Sequence, residues 1–224
     1  MIRVMDLETT GFPPDAAIVE IGWCDITEPS FVVCEPESSL INPGIAIEPG
    51  AMASHHIIDA DVKDAPEFPA FLSASDFYRD NFIYAAHKAD FEKAFWNPPN
   101  TRWIDTWKVV LRLAPKAPGH SNQMLRYWLN LDVDRELASP PHRAGPDAYV
   151  TAHLLARMLT KMSVEEMIEI SSQPALLPHL HFGKHAMIPC AEVPTDYWDW
   201  VLRQDFDADV KFTARHYLAL GGKP

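Results

Sequence analysis

The chain has 224 residues and a formal net charge of −12, with 47% hydrophobic and 22% charged residues. This composition is ordinary for a globular protein and excludes a disordered chain, and the acidic balance excludes a uniformly basic protein that coats nucleic acid. Three cysteines without a C-x-x-C pair indicate a reducing compartment, so we expect a cytoplasmic protein without a disulfide framework. The sequence has neither an apolar run of membrane-spanning length nor the layout of a signal peptide, so we expect no membrane partner.

The first half of the sequence predicts several short strands, with helices between the later ones. Alternating or continuous apolar residues predict strands at 2–7, 18–24, 82–86 and 103–106. A further early strand is predicted at either 31–35 or 38–41. Helices are predicted just after Pro49, over 88–96 and over 107–113.

The second half is dominated by one helix that starts at Pro146, because proline is favoured at the first helical position. Apolar residues then recur every three or four positions and form one stripe: Ala148, Ala152, Leu155, Leu159 and Met162. After about residue 163 the pattern restarts with a second helix. Strands interleaved with helices predict an α/β or α+β fold around a mixed sheet, so we expect a main domain over 1–162 and a small C-terminal subdomain over 163–224.

Three short motifs carry groups that can do chemistry. Asp6 and Glu8 are two apart on a predicted strand, so both carboxylates point to the same face. Two carboxylates placed in this way repel each other unless a cation lies between them, and oxygen ligands suit Mg²⁺ or Mn²⁺. Taken alone, this pair is equally typical of a solvated edge strand.

The second motif, residues 87–92, follows a buried strand, and the third spans 142–147. His142 and Asp147 are five residues apart and cannot share a helix face. They converge if His142 lies in the loop before the helix and Asp147 in its first turn, where the helix dipole favours a carboxylate. A loop histidine beside a bound cation is a candidate general base, although a lone histidine before a helix is often a surface residue.

Taken in order and spacing, these motifs resemble those of the DEDDh family of 3′→5′ exonucleases. The matching stretches are Asp6-Leu7-Glu8-Thr9-Thr10-Gly11, His87-x-Ala89-x-Phe91-Glu92 and His142-x-Ala144-x-x-Asp147. Further stretches are similar to the exodeoxyribonuclease X group of that family, namely 49–53 with His55, 106–108, 112–113, 121–122 and the tail from 182 to 218. The resemblance therefore covers nearly the whole chain.

The resemblance implies an RNase H-like mixed five-stranded sheet flanked by helices, and two divalent cations, Mg²⁺ or Mn²⁺. Four acidic residues would hold the cations, and His142 would be the general base toward the attacking water; the implied catalytic set is Asp6, Glu8, Glu92, Asp147 and His142. The expected substrate is a DNA 3′ end, preferably single-stranded, and the expected product is a nucleoside 5′-monophosphate. Positions matching substrate contacts are Thr9, Thr10, Met52 and His55. The sequence does not decide whether the chain forms a homodimer.

The second motif departs from the family pattern at two positions. The family usually ends this motif in Asp, whereas Glu92 stands here, and Asp90 is the alternative ligand two residues earlier. We favour Glu92, because it stands at the aligned position and its side chain, one methylene longer than that of Asp, can still reach a metal. Lys88 replaces the usual Asn and is either a solvated helix start or a phosphate contact.

The aromatic residues and the tail leave further alternatives. Trp96, Trp103, Trp107 and Trp128 are expected in the core rather than stacked on bases. In the tail, an accessory nucleic-acid surface and a packing or dimer role are equally compatible with Lys184, His185, Trp198 and Trp200. The tail histidines lack a cysteine or carboxylate at zinc-ligand spacing, which argues against zinc.

Two other functions compete with a DNA exonuclease. One is an enzyme that trims RNA or oligoribonucleotide 3′ ends, because the sequence shows no feature that reads the 2′-hydroxyl. The other is a weakened family member that binds nucleic-acid ends or a protein partner, which the exchange at Glu92 would explain.

Overall fold

The computed structural model describes residues 1–221. Six strands form one mixed sheet: β1 (Ile2–Thr9), β2 (Ile18–Thr27), β3 (Val32–Val33), β4 (Glu37–Leu40), β5 (Ile83–Ala86) and β6 (Arg102–Asp105). The sheet order is β3-β2-β1-β5-β6, and β4 also pairs with β2. β1 is antiparallel to β2 and parallel to β5, which in turn is parallel to β6.

The predicted α/β fold with a mixed sheet is confirmed, but the sheet has six strands rather than five. The sequence left two segments as alternatives for one strand, and both form. β3 pairs with the far end of β2, at Ile26 and Thr27, whereas β4 pairs with the part of β2 between Glu20 and Trp23. Because β2 is ten residues long, it has room for both short partners along the same edge.

Ten α-helices cover the sheet and form the C-terminal part of the described residues: α1 (Pro49–His55), α2 (Asp59–Val62), α3 (Phe68–Ala74), α4 (Asp90–Phe95), α5 (Thr106–Leu113), α6 (Asn122–Trp128), α7 (Ala144–Leu159), α8 (Val164–Ser171), α9 (Thr195–Leu202) and α10 (Ala208–Ala219). A 3₁₀ turn spans Cys190–Glu192. Within residues 1–221, no helix combines the length and the apolar character needed to cross a membrane.

Two hydrophobic clusters sandwich the sheet. On one face, α7 packs against β1 and β2 through the predicted stripe, whose Ala148, Ala152 and Leu155 are fully buried. The other face buries an aromatic cluster that includes Trp96 and Trp103, so the core assignment of these two tryptophans is confirmed. The sheet is therefore covered on both sides, as parallel strands require.

The C-terminal residues build a separate cluster around the fully buried Trp198. α9 and α10 pack chiefly against each other. In contrast, α8 packs against β6 and α5 and contributes Met167 to the main core. α8 therefore belongs with the main core, and we propose a boundary after it, near residue 173, beside the expected one at 163; residues 174–221 are called the C-terminal unit.

Candidate active site

The first two carboxylates lie at the end of the central strand β1. Asp6 and Glu8 are both half-buried and line the same cleft of about 290 Å³. Asp6 lies opposite Gly22 of β2, and a Cβ on Gly22 would overlap the backbone of Ala144 and Gly145. The glycine thus lets the N-terminus of α7 approach the strand that carries the carboxylates.

Asp147 lies in the first turn of α7 and faces Asp6 and Glu8. One oxygen from each of these three carboxylates lies within 4.8 Å of the other two. Asp147 is held in place from two sides: its Oδ2 accepts a hydrogen bond from the backbone N–H of His142 at 2.7 Å, and its Oδ1 accepts one from Gln123 Nε2 at 3.0 Å. The structure therefore places His142 in the loop before α7, bonded through its backbone to Asp147.

Glu92, rather than Asp90, lines the cleft with the other carboxylates. Glu92 is 3% exposed, and its Oε2 is buried without a hydrogen-bond partner in the described residues. Asp90 points away from the cleft, with its side chain 67% exposed and paired with Lys108 at 2.9 Å. The order of the two acids on the short helix α4 explains the difference, because residues two apart project in different directions.

Burial and mutual repulsion disfavour the charged form of these carboxylates. Burial raises the pKa of Asp6 well above its usual value, and the charges of Asp147, Glu8 and Glu92 raise it further. Burial likewise raises the pKa of Glu8 to about 8, with repulsion from Asp147 adding to it, and the pKa of Glu92 to about 8. Burial also raises the pKa of Asp147. A bound cation would relieve this repulsion.

The donor set fits hard divalent cations. It consists of carboxylate oxygens only, which suit Mg²⁺ and Mn²⁺ better than softer metals. The unpartnered oxygen of Glu92 is the kind of buried polar atom that a missing ligand leaves behind. Asp6, Glu8, Asp147 and Glu92 are therefore the residues that would hold such ions.

A buried ion pair fixes the loop that carries His142. Glu20 on β2 is 2% exposed and accepts two hydrogen bonds from Arg143, from Nε at 2.9 Å and from Nη2 at 2.6 Å. The same carboxylate accepts the backbone N–H of Ala144 at 2.9 Å. Since Arg143 follows His142 directly, this pair ties the histidine loop to the sheet.

His87 is the first residue of the second motif, and its ring holds neighbouring elements together rather than carrying a proton. Its Nε2 donates to the carbonyl of His120 at 2.7 Å, because a carbonyl can only accept. Its Nδ1 contacts the Thr106 hydroxyl at 2.9 Å. Burial lowers the pKa of His87 to about 4, so the ring is neutral near pH 7 and joins β5, α5 and the loop before α6.

The four residues expected to contact substrate divide into two pairs. Thr9 and His55 line a second pocket of about 350 Å³ that adjoins the carboxylates through Leu7, Glu8 and Phe91. Thr10 and Met52 do not line it. The Thr10 hydroxyl accepts the backbone N–H of Ala17 at 3.0 Å and is buried, and Met52 packs on a small cluster that contains Val19 and Ile47.

Several residues of the site escaped sequence reasoning. The partners in these hydrogen bonds are far apart in sequence: Gln123 and Asp147 are separated by 24 residues, and Glu20 and Arg143 by 123. No local sequence pattern predicts such pairs. Phe12 is 82% exposed and lies edge-on to Phe91 at the lip of the second pocket. Its position directly after Gly11, the last residue of the first motif, is the signal that could have found it.

The fold and cleft define a class: an α/β domain built on a mixed sheet, whose clustered carboxylates suit divalent metal ions, with a histidine on an adjacent loop. Comparison with known proteins agrees. The sequence family described as "Exonuclease" (RNase_T) matches residues 4–155. Exodeoxyribonuclease 10 of Escherichia coli (strain K12) is 32% identical over 225 residues, covering 97% of this chain and 99% of that protein.

Solved structures extend the comparison. A structure titled "Exonuclease X in complex with 5′ overhanging duplex DNA" has a TM-score of 0.66 and 32% identity, and the match covers 76% of this chain and 99% of that one. The nuclease domain of 3′hExo, described as a DEDDh family member, shares the fold with a TM-score of 0.55 and 19% identity, over 71% of this chain and 91% of that one.

The chain belongs to the exonuclease family, and it is a hydrolytic nuclease of that family. The expected resemblance is thereby confirmed. The family depends on divalent metal ions, in agreement with the acidic cluster.

Proposed function

We propose that this chain is a 3′→5′ DNA exonuclease that uses Mg²⁺ or Mn²⁺ and releases nucleoside 5′-monophosphates. One observation carries the proposal: four carboxylates from three separate parts of the chain and His142 line a single cleft. DNA is favoured as substrate because the exonuclease X structure, 32% identical, is titled as a complex with overhanging duplex DNA. We place the activity in the cytoplasm, which the three free cysteines support.

The carboxylates would hold the metal ions and so set where the scissile phosphate lies. Asp6 is central, because it clusters with Glu8 and Asp147 and lines the same cleft as Glu92. A pair of bound divalent cations would stabilise the attacking and leaving oxygens of the phosphodiester. The protein fixes this geometry through β1 and the first turn of α7, both rigid elements.

His142 receives the proton of the attacking water. Its ring is exposed at the cleft and makes no hydrogen bond within the described residues, so Nδ1 and Nε2 are both available. Its backbone is fixed by Asp147 and by the neighbouring Glu20–Arg143 pair, in a left-handed conformation with φ of 60°. The ring is therefore held near the cleft while remaining free to take up and release a proton.

The second pocket suits the terminal nucleoside of the substrate. Its walls combine the apolar rings of Phe12 and Phe91 with Thr9 and His55. His55 accepts the N–H of Ile57 on Nδ1 and contacts the carbonyl of Thr9 through Nε2, which fixes its ring. A pocket of this size accepts one unpaired nucleoside, so we expect a preference for single-stranded or frayed 3′ ends.

The first experiment uses a 5′-labelled single-stranded DNA oligonucleotide with Mg²⁺, with Mn²⁺ and with EDTA. A ladder of 3′-shortened products that requires metal supports the proposal and its polarity. The matched RNA oligonucleotide is the second substrate, and faster shortening of RNA would replace DNA by RNA as the substrate. A folded protein that leaves both intact in every lane would overturn the exonuclease proposal and favour a binding role.

A further inference from the structure

A cavity of about 640 Å³ lies between the nuclease domain and the C-terminal unit. The nuclease domain provides Lys88, Trp107, Leu111 and His120 among its walls, and the C-terminal unit provides Leu177, His179, His181, Met187, Asp207 and Asp209. Its volume is within the usual range of small-molecule pockets. The cavity is distinct from the carboxylate cleft and from the pocket for the terminal nucleoside, so the function proposed above gives it no role.

The cavity adjoins the catalytic cleft. His87 and Lys88 line both spaces and form their shared wall. The pocket for the terminal nucleoside joins the cleft along a different wall, made by Leu7, Glu8 and Phe91. A strand with its 3′ nucleoside in that pocket and its phosphate at the carboxylates therefore has a second enclosed space beside it for the next nucleotide.

Lys88 holds a positive charge at this wall despite an unfavourable backbone. Its φ is 73°, a left-handed conformation that glycine and asparagine adopt more readily than lysine. Its backbone N–H donates to Asp105 Oδ1 at 3.3 Å, a bond that any non-proline residue could make. Its ammonium lies 5.4 Å from the centre of the Trp107 ring. The turn does not require a lysine, so the side chain itself needs an explanation.

We infer that the cavity is a subsite for the nucleotide that precedes the terminal one, closed on one side by the C-terminal unit. This inference rests on the proposed exonuclease function. Lys88 contacts the phosphate of that nucleotide, and the half-buried Trp107 offers an aromatic surface for its base. His179 and His181 supply further hydrogen-bonding groups on the wall.

The two acidic residues of the wall have their carboxylates engaged by the backbone of the C-terminal unit. Asp207 accepts the backbone N–H of Val210 at 2.8 Å, and Asp209 accepts that of Ala175 at 2.7 Å. The rings of His179 and His181 and the Lys88 ammonium make no hydrogen bond within the described residues, so they are the groups left to meet a ligand.

The test compares two substrates with the 224-residue chain. The 4-nitrophenyl ester of thymidine 5′-monophosphate has one nucleotide, and its nitrophenolate leaving group carries no further sugar or phosphate, whereas a ten-nucleotide oligothymidylate supplies both. Three variants are measured: Lys88→Asn, His181→Ala and, as a control in the C-terminal unit outside the cavity, Arg203→Ala. Arg203 is exposed and does not line the cavity.

For Lys88→Asn we expect the KM of the oligonucleotide to rise about tenfold, the usual weight of a charge-assisted contact, and the KM of the ester to change much less. The slope of log KM against log salt should also fall by about 0.7, because one phosphate contact on a single strand is lost. His181→Ala should raise the KM of the oligonucleotide in the same selective way, and Arg203→Ala should not. Lys88→Asn should melt at or above the wild-type temperature, since asparagine suits the left-handed turn.

Two results would overturn the subsite. One is an equal loss on the ester and on the oligonucleotide, above all with a lower melting temperature, because it would give Lys88 only a structural role in the cleft. The other is no change in the KM or the salt slope of the oligonucleotide. A wild-type protein that cleaves neither substrate would instead refute the proposed function itself, and with it the subsite.

Discussion

The ion pair between Glu20 and Arg143 makes the most direct test of how the site is held together. Arg143→Ala removes two hydrogen bonds, of 2.9 and 2.6 Å, and leaves Glu20 buried with the backbone N–H of Ala144 as its remaining partner. Breaking a buried pair on one side costs about 3–5 kcal/mol. Arg143 is partly exposed, with its side chain at 36%, so we expect the lower part of this range or less, about 2–3 kcal/mol.

For a chain of this length, each 1 kcal/mol lowers the melting temperature by about 2–4 °C, so the variant should melt about 4–12 °C below wild type. The loop that carries His142 should lose its fixed position as well. A displacement of about 1 Å at a catalytic group can cost 10²-fold in rate, so kcat should fall by about that factor while the KM for DNA changes little. Thermal melting followed by circular dichroism and single-turnover cleavage of labelled DNA measure the two effects.

The matched control is Arg157→Ala, an exposed arginine near the other end of the same helix α7, which should leave both quantities near wild type. The double variant Glu20→Gln with Arg143→Ala should recover part of the lost stability, because the unpaired buried charge is gone. If Arg143→Ala melts at a lower temperature but keeps its kcat, the pair stabilises the fold without positioning His142, and the reasoning about the loop fails.

Three further predictions follow from the same cleft. Glu92→Gln should reduce kcat severely and Asp90→Asn should not, because only Glu92 lines the cleft; the opposite ranking in a cleavage assay would reverse the ligand assignment. In EDTA the melting temperature should fall as the pH rises from about 5 to 8. Glu8 and Glu92 each have a folded-state pKa of about 8, above the unfolded value, so they lose stabilising protonation over that window. Mg²⁺ should reduce the fall, and an equal dependence of the melting temperature on pH with and without the ion would refute metal binding here. Gly22→Ala should destabilise the protein by about 1–3 kcal/mol and impair cleavage through overpacking against α7. Gly50→Ala is the control for stability alone, because the added Cβ meets no atom within 4 Å, and it should leave the melting temperature near wild type.

The sequence predicted the sheet class and the three motifs because their signals are local. Alternation marks β1, the apolar stripe marks α7, and a proline marks the start of that helix at 146, although the structure begins it at Ala144. The same local reading could not decide between two segments for one strand, since pairing with β2 depends on the length of β2 rather than on either segment.

In the candidate site, too, the sequence predicted some features correctly and missed others. The preference for Glu92 over Asp90 followed from motif spacing, and the structure places Glu92 in the cleft. Thr10 and Met52, chosen by position in the resemblance, lie outside the pocket lining, because a hydrogen bond to Ala17 and a small apolar cluster occupy them. The packing of α8 on the main core also escaped the sequence, since the capping box of α8 marks where a helix starts and not which core it joins.

The separate core of the C-terminal unit has a consequence for how the molecule opens. A unit of fewer than about 60 residues buries little surface of its own and is marginal in stability. Its cluster around Trp198 is distinct from the two clusters of the sheet, and α9 and α10 share their main contacts with each other. Amide protons in α10 should therefore exchange with solvent through a local opening, well before those of β1, which exchange only when the whole nuclease domain unfolds. Such an opening would uncover one wall of the 640 Å³ cavity while leaving the carboxylates in place. If the proposed subsite holds, a bound strand would then enter or leave sideways without disturbing the carboxylates.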